Sequence, residues 1–354
     1  MAWGILGVRG VAWIGLVLLL FVVPAIAGEE KRELVILNWP DYMDPELEKR
    51  FEDQTGIQIR TVHFETDEMR DELLSRTHGT GFDLFVVSGE RVQGYVNKGW
   101  LASMSETQVP NLRHVAARWF DSYPGVKGHA APLMWGTLGI AYRSDRVSEP
   151  PTHWKRLLEP PEAWRGRIIM EKDSADLMGM AMKAQGYAWN HDEASAIERS
   201  RELLMAQKPF VRAYGYPSFD AHSALVTGEA WLAMVYNGDA LSLRALDERI
   251  AFLVPAEGGS LWVDCLVVSA TSSRKAEAYA FIDFLHQPDN AAQLSHYLHF
   301  ATVNEAAESL LRPEHRNNPV IYPPEEVLTR SEFVSKPSPR IDRLYKEILR
   351  ALLN

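Results

Sequence analysis

Short apolar runs alternate with helical patterns in this chain, and this alternation restricts the fold more than any other feature. Residues 34–37 form a compact apolar run, and Asp44 then supplies an N-cap for a helix that ends at Gly56. Helical spacing at 67–77 and another apolar run at 83–87 continue the series. Strands and helices that alternate in this way predict a parallel sheet covered by helices.

The same alternation returns in a second α/β unit between residues 167 and 254. Its strands are predicted at 168–170, 210–213 and 231–235. Extended stretches at 130–142 and 261–269 flank this unit, as expected of a chain that crosses into a second lobe and back. The length of 354 residues also suggests about two domains. We therefore predict two α/β lobes, formed by residues 28–137 with 265–302 and by residues 138–264 with 303–354.

The N-terminus has the organisation of a secretory signal peptide. Arg9 precedes an apolar run at 11–23, and Ala25-Ile26-Ala27 forms an Ala-x-Ala cleavage pattern. We predict a signal peptide at residues 1–27 and a mature chain that begins at Gly28, outside the cytoplasmic membrane. The apolar segment also leaves an uncleaved membrane anchor open as the alternative.

Charge and motifs restrict the function. The net charge is -10 and no run of Lys and Arg is present, which argues against a nucleic-acid partner and suits a cationic ligand. No nucleophile elbow, Walker loop or Gly-x-Gly-x-x-Gly motif follows a predicted strand. The closest histidines, His296 and His299, have no Asp, Glu or Cys at metal-ligand spacing, and Cys265 is predicted to be buried in a strand. We predict that the protein is not an enzyme and has no cofactor or metal site.

Carboxylates follow apolar, strand-like runs at four places, and at three of them an aromatic residue stands two or three positions earlier. These places are Trp39 with Asp41, Tyr236 with Asp239, Trp262 with Asp264, and the pair Asp173 and Asp176. An aromatic face and a carboxylate together bind organic ammonium groups. The carboxyl ends of strands in open α/β sheets line the ligand cleft, so the pattern predicts an ammonium-binding cleft between the two lobes.

Each of these places also has an alternative interpretation. Asp173 can be the N-cap of a helix, and Asn237-Gly238 can form a simple turn. Trp39 can pack on its own domain, while Asp264 must meet a cation, either a local arginine or a ligand, because an unpaired buried charge is costly. Convergent carboxylates with tryptophan platforms also occur in glycoside hydrolases, so a secreted glycoside hydrolase is the enzymatic alternative.

Six segments together resemble the bacterial periplasmic polyamine-binding proteins, the substrate-binding components of spermidine/putrescine ABC transporters. The segments are Leu37-Asn38-Trp39-Pro40-Asp41-Tyr42, Thr55-Gly56-Ile57, Phe82-Asp83-Leu84 leading to Ser88, Met134-Trp135-Gly136-Thr137, Asn237-Gly238-Asp239 and Gly258-Gly259-Ser260-Leu261-Trp262-Val263-Asp264. The resemblance implies a two-lobed periplasmic binding protein fold of type II, each lobe a mostly parallel sheet with flanking helices. It also implies a periplasmic location and a ligand that is spermidine, putrescine or a close analogue.

The resemblance assigns ligand-binding roles to individual residues. It implies aromatic walls at Trp39, Tyr42, Tyr236, Trp262 and Phe300, ammonium-binding carboxylates at Asp41, Asp173, Asp176, Asp239 and Asp264, and a polar contact at Ser88. Glu90 stands where spermidine-preferring members have an aromatic residue, and it either binds another amine or pairs with Arg91. Tyr236 and Phe300 also depart from the Trp and Tyr that are usual at these positions, which alters the walls of the cleft.

The resemblance also implies partners. A protein of this kind, expected to be a monomer, delivers its polyamine to the membrane permease of an ABC transporter. Relatives in the family also act as periplasmic polyamine sensors that dock on membrane signalling receptors, and this is the alternative function.

Overall fold

A computed structural model describes residues 32–354, so the predicted signal peptide at 1–27 lies outside the described residues. Within residues 32–354, no helix combines the length and the apolar character that crossing a membrane requires. The strands are β1 (Glu33–Asn38), β2 (Gln58–His63), β3 (Leu84–Ser88), β4 (Ala130–Arg143), β5 (Ile168–Met170), β6 (Val211–Tyr214), β7 (Leu232–Tyr236), β8 (Ile250–Leu253), β9 (Ser260–Val268), β10 (Ala301–Thr302) and β11 (Glu332–Phe333). Strands β1, β3 to β7 and β9 coincide with the predicted strands to within a few residues, whereas β8, β10 and β11 were not predicted.

The helices cover this sheet. They are α1 (Pro45–Thr55), α2 (Asp67–Thr77), α3 (Gly89–Asn97), α4 (Ala117–Phe120), α5 (Lys155–Leu158), α6 (Ser174–Ala184), α7 (Ala194–Gln207), α8 (Ala224–Thr227), α9 (Asn237–Leu246), α10 (Lys275–Leu285), α11 (Pro288–Leu298), α12 (Glu305–Glu308), α13 (Pro313–Arg316), α14 (Glu325–Leu328) and α15 (Pro339–Leu353). Helices α1 and α2 lie at their predicted positions. Helix α1 has the predicted ends, because Asp44 accepts a hydrogen bond from the Glu46 N–H and Gly56 is left-handed with φ of 68°.

The strands form one mixed sheet with the order β2-β1-β3-β9-β4-β7-β5-β6. Pairing is parallel among β1, β2 and β3 and again among β5, β6 and β7. It is antiparallel around the two long strands, where β9 pairs with β3 and β4, and β4 pairs with β7 and β8. Parallel units at both ends therefore meet at an antiparallel centre.

Strand β4 joins the two halves of the sheet. Its residues 130–137 pair with β9, and its residues 138–142 pair with β7. Thirteen of its fourteen residues are buried, as expected of a strand covered on both faces. The chain leaves the first half of the sheet through β4 and returns through β9. Residues from distant parts of the chain therefore meet near these two strands.

Separate hydrophobic cores lie in the two halves. Phe85 and Phe281 belong to the first core, and Trp154 and Met234 belong to the second. Tyr236, at the end of β7, packs against both cores. The centre of the sheet is therefore the place where the two halves meet.

The C-terminal part of the chain contributes to both cores. Val303 and Ile321 pack in the first core, whereas Tyr345 and Leu352 of α15 pack in the second. Cys265 is buried in β9, as predicted. The predicted lobe boundaries stay a prediction.

Candidate ligand-binding site

Asp264 lies at the centre of the sheet, in strand β9. It stands opposite Ser88 at the end of β3 and opposite Met134 in β4. It is only 8% exposed, and its Oδ2 accepts a hydrogen bond of 2.7 Å from the Tyr42 hydroxyl. Asp264 is therefore a buried carboxylate stabilised by a neutral donor.

The turn after β1 positions Tyr42. The Asn38 side chain accepts a hydrogen bond from the Trp39 N–H at 2.8 Å and donates one to the Tyr42 carbonyl at 3.2 Å. Asp41 adopts the left-handed conformation with φ of 56°, which aspartate tolerates better than most residues, and it is exposed. The turn thus places Tyr42 at Asp264 and leaves Asp41 at the surface, where its predicted contact with a ligand stays a prediction.

Six aromatic rings form a continuous path from the centre of the molecule to Tyr216, which is exposed, and we call it the aromatic path. The centroid distances along it are 6.2 Å for Tyr216–Tyr236, 5.9 Å for Tyr236–Trp262, 4.8 Å for Trp262–Phe300, 6.2 Å for Phe300–Tyr42 and 5.5 Å for Tyr42–Trp39. Contacting aromatic pairs have centroids about 4.5–7 Å apart. The structure thus brings together all five predicted aromatic residues and adds Tyr216, which the sequence analysis missed.

Carboxylates accompany the path in the second half of the sheet. Asp173 is the N-cap of α6 and accepts hydrogen bonds from the N–H groups of Ala175 and Asp176, at 2.8 and 3.0 Å, so its capping interpretation is confirmed. Asp176 is buried and accepts a 2.8 Å hydrogen bond from the Tyr236 hydroxyl, while Asp239 accepts one of 2.6 Å from Tyr216. Together with Tyr42 and Asp264, these contacts give three carboxylates that are each held by a tyrosine hydroxyl.

The sequence analysis missed Glu171, which directly follows strand β5. It is 6% exposed, its Oε1 accepts a hydrogen bond from the Lys172 N–H at 2.9 Å, and its Oε2 is buried with no hydrogen-bond partner among residues 32–354. The strand-end rule that selected Asp173 applies equally to Glu171, two residues earlier, so the signal was present in the sequence.

Tyr123 is a second group that the sequence analysis missed. Burial, followed by the nearby acidic groups Glu90, Cys265 and Asp264, raises its pKa well above the ordinary value. Its buried hydroxyl has no hydrogen-bond partner in the described part of the chain. The ring packs where a Cβ at Gly89 would lie 2.4 Å from its Cδ2, so only glycine after Ser88 leaves room for it.

The carboxylates along the path share one electrostatic property. In the chain from residue 32 onward, none of Glu171, Asp173, Asp176, Asp239 and Asp264 forms an ion pair, although all lie in the protein interior or at its edge. Burial raises the pKa of Asp239 and Asp264 to about 7 and raises those of Glu171 and Asp176 well above the ordinary value. A cation placed among these groups would restore their ionised forms.

Glu90 differs from these carboxylates in having an ion-pair partner within the chain, although burial raises its pKa to about 7 as well. Its Oε1 is 3.1 Å from the Arg91 Nε, which is also 3.2 Å from Asp67, and the Arg91 Nη1 is 3.0 Å from Asp71. Arg70, which is fully buried, has its Nη1 2.7 Å from Asp67. Of the two interpretations that the sequence left open for Glu90, the pairing with Arg91 is the one present in the structure.

Gly238 allows the aromatic path to pack against α9. A Cβ at this position would lie 2.4 Å from Cε1 of Phe300, which is buried against Trp262. We expect Gly238→Ala to lower the free energy of unfolding by about 1–3 kcal/mol, because the ring cannot move without displacing its neighbours. Gly215→Ala is the control, since nothing lies within 4 Å of its Cβ position. Denaturant unfolding measures both, and equal stabilities would contradict this packing.

Comparison with known proteins identifies the family. The sequence model described as bacterial extracellular solute-binding protein matches residues 46–319. The chain belongs to this family. It is 31% identical over 298 residues to the norspermidine sensor of Vibrio cholerae, with 84% of this chain and 82% of the relative covered. It is 27% identical to the spermidine/putrescine-binding periplasmic protein of Escherichia coli, with 87% and 88% covered.

Solved structures agree with this assignment. The spermidine/putrescine ABC transporter substrate-binding protein PotD of Streptococcus pneumoniae superimposes with a TM-score of 0.78 at 26% identity, covering 91% of this chain and 98% of that chain. The Tp0655 lipoprotein of Treponema pallidum has the same fold, with a TM-score of 0.78 at 21% identity and 90% of this chain and 99% of that chain covered. The predicted type II periplasmic binding protein fold is therefore confirmed.

Proposed function

We propose that this protein binds a polyamine, such as spermidine, putrescine or a close analogue, in the periplasm. The observation that carries the proposal is the set of five carboxylates without an ion-pair partner along the aromatic path, among residues 32–354. Aromatic rings pack against the methylene segments of a polyamine, and carboxylates pair with its ammonium groups. The names of the relatives in Vibrio cholerae and Escherichia coli support the same ligand class.

The role in the cell that we propose is delivery of the polyamine to the permease of an ABC transporter. The relatives named as binding components of spermidine/putrescine transporters support this role. The protein acts without chemistry on its ligand, and a cleavable signal peptide at residues 1–27 exports it as a monomer. Stimulation of the ATPase activity of the reconstituted transporter by the polyamine-loaded protein tests the role, and the absence of stimulation argues against it.

Polyamine sensing is the second candidate, and one observation favours it. The relative that is 31% identical to this chain is named a norspermidine sensor, whereas the binding proteins from Escherichia coli are 27–28% identical. In this case the loaded protein docks on a membrane signalling receptor rather than on a permease. Permease and ATPase genes beside its gene favour transport, and a neighbouring receptor gene with signalling domains favours sensing.

Calorimetric titration tests the ligand class directly. We expect heat of binding and thermal stabilisation with polyamines from the series putrescine, cadaverine, spermidine, norspermidine and spermine, and neither effect with neutral oligosaccharides. Hydrolysis of a sugar substrate that is lost on mutation of one carboxylate would instead favour the glycoside hydrolase alternative. If no member of the polyamine series binds, the proposed function is wrong.

Affinity for the polyamine should rise with pH between about 5 and 8. The pKa of Asp239 and that of Asp264 are about 7 because both are buried, whereas a primary amine such as that of lysine keeps its proton throughout this range. Raising the pH therefore ionises the site before the ligand loses charge, and binding below pH 7 releases protons. Calorimetry in two buffers of different ionisation enthalpy measures this release. The variant Asp239→Asn should show a smaller pH dependence, and an affinity that falls as pH rises would refute the assignment.

A further inference from the structure

We propose that Glu171 forms, with Asp239 and Tyr216, a subsite for a terminal ammonium group, so that the ligand is a polyamine with at least three amines. This inference rests on the proposed function and adds a residue that neither the sequence motifs nor the family resemblance assigned. Its starting point is the buried Oε2 of Glu171, which has no hydrogen-bond partner among the described residues.

Strand topology places Glu171 beside two rings of the aromatic path. Strand β5 lies between β6 and β7, with Met170 opposite Tyr214 and Ile169 opposite Ala233. Glu171 is the next residue after β5, and Tyr216 and Tyr236 stand at the corresponding ends of the neighbouring strands. The centroids of these two rings are 6.2 Å apart, so they flank the end of β5.

The surroundings of Glu171 are negative rather than neutral. The charges of Asp176, Asp173 and Asp239 all act on it, and Asp239 is fixed nearby by its hydrogen bond to the Tyr216 hydroxyl. An isolated buried carboxylate of this kind is costly unless a cation approaches it. A primary ammonium has three N–H donors, which suits Glu171 Oε2 together with the carboxylate of Asp239.

Comparing the binding of diamines with that of triamines distinguishes a subsite at Glu171 from a general electrostatic effect of its charge. A diamine has only two ammonium groups, which Asp264 and the carboxylates at the start of α6 can bind without Glu171. We expect Glu171→Gln to weaken binding of spermidine or norspermidine about ten- to hundredfold, and to change binding of putrescine less than threefold. Glu257→Gln is the control, because Glu257 pairs with His153 away from the aromatic path.

Calorimetric affinities of the wild type and the variants test the subsite at Glu171. The subsite would be overturned if Glu171→Gln bound spermidine and norspermidine with affinities within twofold of wild type. It would also be overturned if the variant lost affinity equally for diamines and triamines. Glu171→Asp keeps the charge on a shorter side chain and should restore part of the triamine affinity, which a purely structural role would not explain. If the wild type binds no polyamine, the failure lies in the proposed function rather than in this subsite.

A separate observation concerns the other end of the aromatic path, and from it we infer that Arg70 and Arg91 limit the length of the ligand. Arg70 is a cation inside an aromatic cage, with its guanidinium carbon 5.5 Å from the ring centroid of Trp39, 5.1 Å from Phe64 and 5.9 Å from Tyr95. Its Nε donates a hydrogen bond to the Tyr95 hydroxyl at 2.9 Å. Rings and carboxylates of the type that bind ligand ammonium groups are thus already occupied by the protein's own side chain.

Arg91 extends this internal positive charge towards Glu90 and Asp173. It contacts Asp67, Asp71 and Glu90, and its charge also acts on Asp173, the N-cap of α6 on the opposite side of the site. A further ammonium group at Glu90 would stand beside the guanidinium of Arg91 and be repelled by it. The ligand therefore ends before Glu90, and its ammonium groups lie between Asp264 and Glu171.

Comparison of triamine and tetraamine binding tests the length limit. In the wild type we expect spermidine to bind at least tenfold more tightly than spermine, because the longer spermine would extend its fourth ammonium towards Glu90, where the guanidinium of Arg91 repels it. Arg91→Gln releases Glu90 and should raise the spermine-to-spermidine affinity ratio at least tenfold, whereas Arg91→Lys keeps the charge and the wild-type ratio. Arg76→Gln, on the exposed side of α2, is the control.

Two outcomes would overturn the length limit. Wild-type protein that prefers spermine already contradicts it, and this measurement does not depend on how well any variant folds. A ratio unchanged within twofold in Arg91→Gln, with folding confirmed by circular dichroism, contradicts it as well. Loss of all polyamine binding by the wild type would instead count against the proposed function.

Discussion

Asp264→Asn is expected to weaken polyamine binding by about ten- to hundredfold without destabilising the ligand-free protein. A hydrogen bond between an ammonium group and a carboxylate contributes about 1.5–3 kcal/mol, and Asn keeps the shape of the side chain but not its charge. Asn can still accept the hydrogen bond that Tyr42 donates at 2.7 Å. Calorimetry gives the affinity, and an unchanged value would remove Asp264 from the site.

The stability expected of Asp264→Asn follows from the direction in which folding shifts the pKa of Asp264. Burial raises the pKa of Asp264 to about 7, above the ordinary value near 4 in an unfolded chain. The folded state therefore binds more protons than the unfolded state between these values, and the Asp264 contribution makes the ligand-free protein less stable as pH rises from about 4 to 7. Removing the charge should leave the ligand-free protein at least as stable at pH 8.

Asp342, which is half-buried, provides the control for both measurements. It pairs with Lys346 on α15 at 3.0 Å, away from the aromatic path, and Asp342→Asn should change neither affinity nor stability by much. A fall in the stability of Asp264→Asn at pH 8 would show that Asp264 holds the fold together rather than binding a cation.

Arg70→Met should lower the free energy of unfolding by about 3 kcal/mol, the largest effect on stability expected of a single charged residue here. Breaking a buried ion pair costs about 3–5 kcal/mol because the remaining charge loses its counterion. The lower end of this range applies to Arg70→Met, because Arg91 stays close to both Asp67 and Asp71. The loss also removes the guanidinium from the rings of Trp39, Phe64 and Tyr95.

Arg76→Met is a matched control on the same helix. Arg76 pairs with Glu72 one turn away, but both side chains are more than half exposed, and such pairs contribute about 0–1 kcal/mol. Denaturant unfolding of the two variants should therefore differ by about 2 kcal/mol or more. Equal stabilities would mean that the buried guanidinium carries no more stabilisation than a surface charge.

Short-range signals in the sequence were sufficient for the elements of this fold. Asp44 and Gly56 mark the ends of α1 because capping depends on residues within one turn, and the predicted strand at 168–170 coincides with β5. The extended stretch predicted at 261–269 coincides with β9 to within one residue, since strand patterns depend on nearby residues. These features depend on neighbours along the chain, so the sequence alone determined them.

The tertiary structure decided whether each carboxylate lies next to a cation or next to a neutral hydrogen-bond donor. Asp264 and its donor Tyr42 are 222 residues apart, and Asp176 and its donor Tyr236 are 60 apart. No local pattern distinguishes Glu90, which Arg91 neutralises together with Asp67, from Glu171, which has no cation among residues 32–354. The electrostatic state of a buried charge depends on every group within a few ångströms, and only folding determines which groups those are.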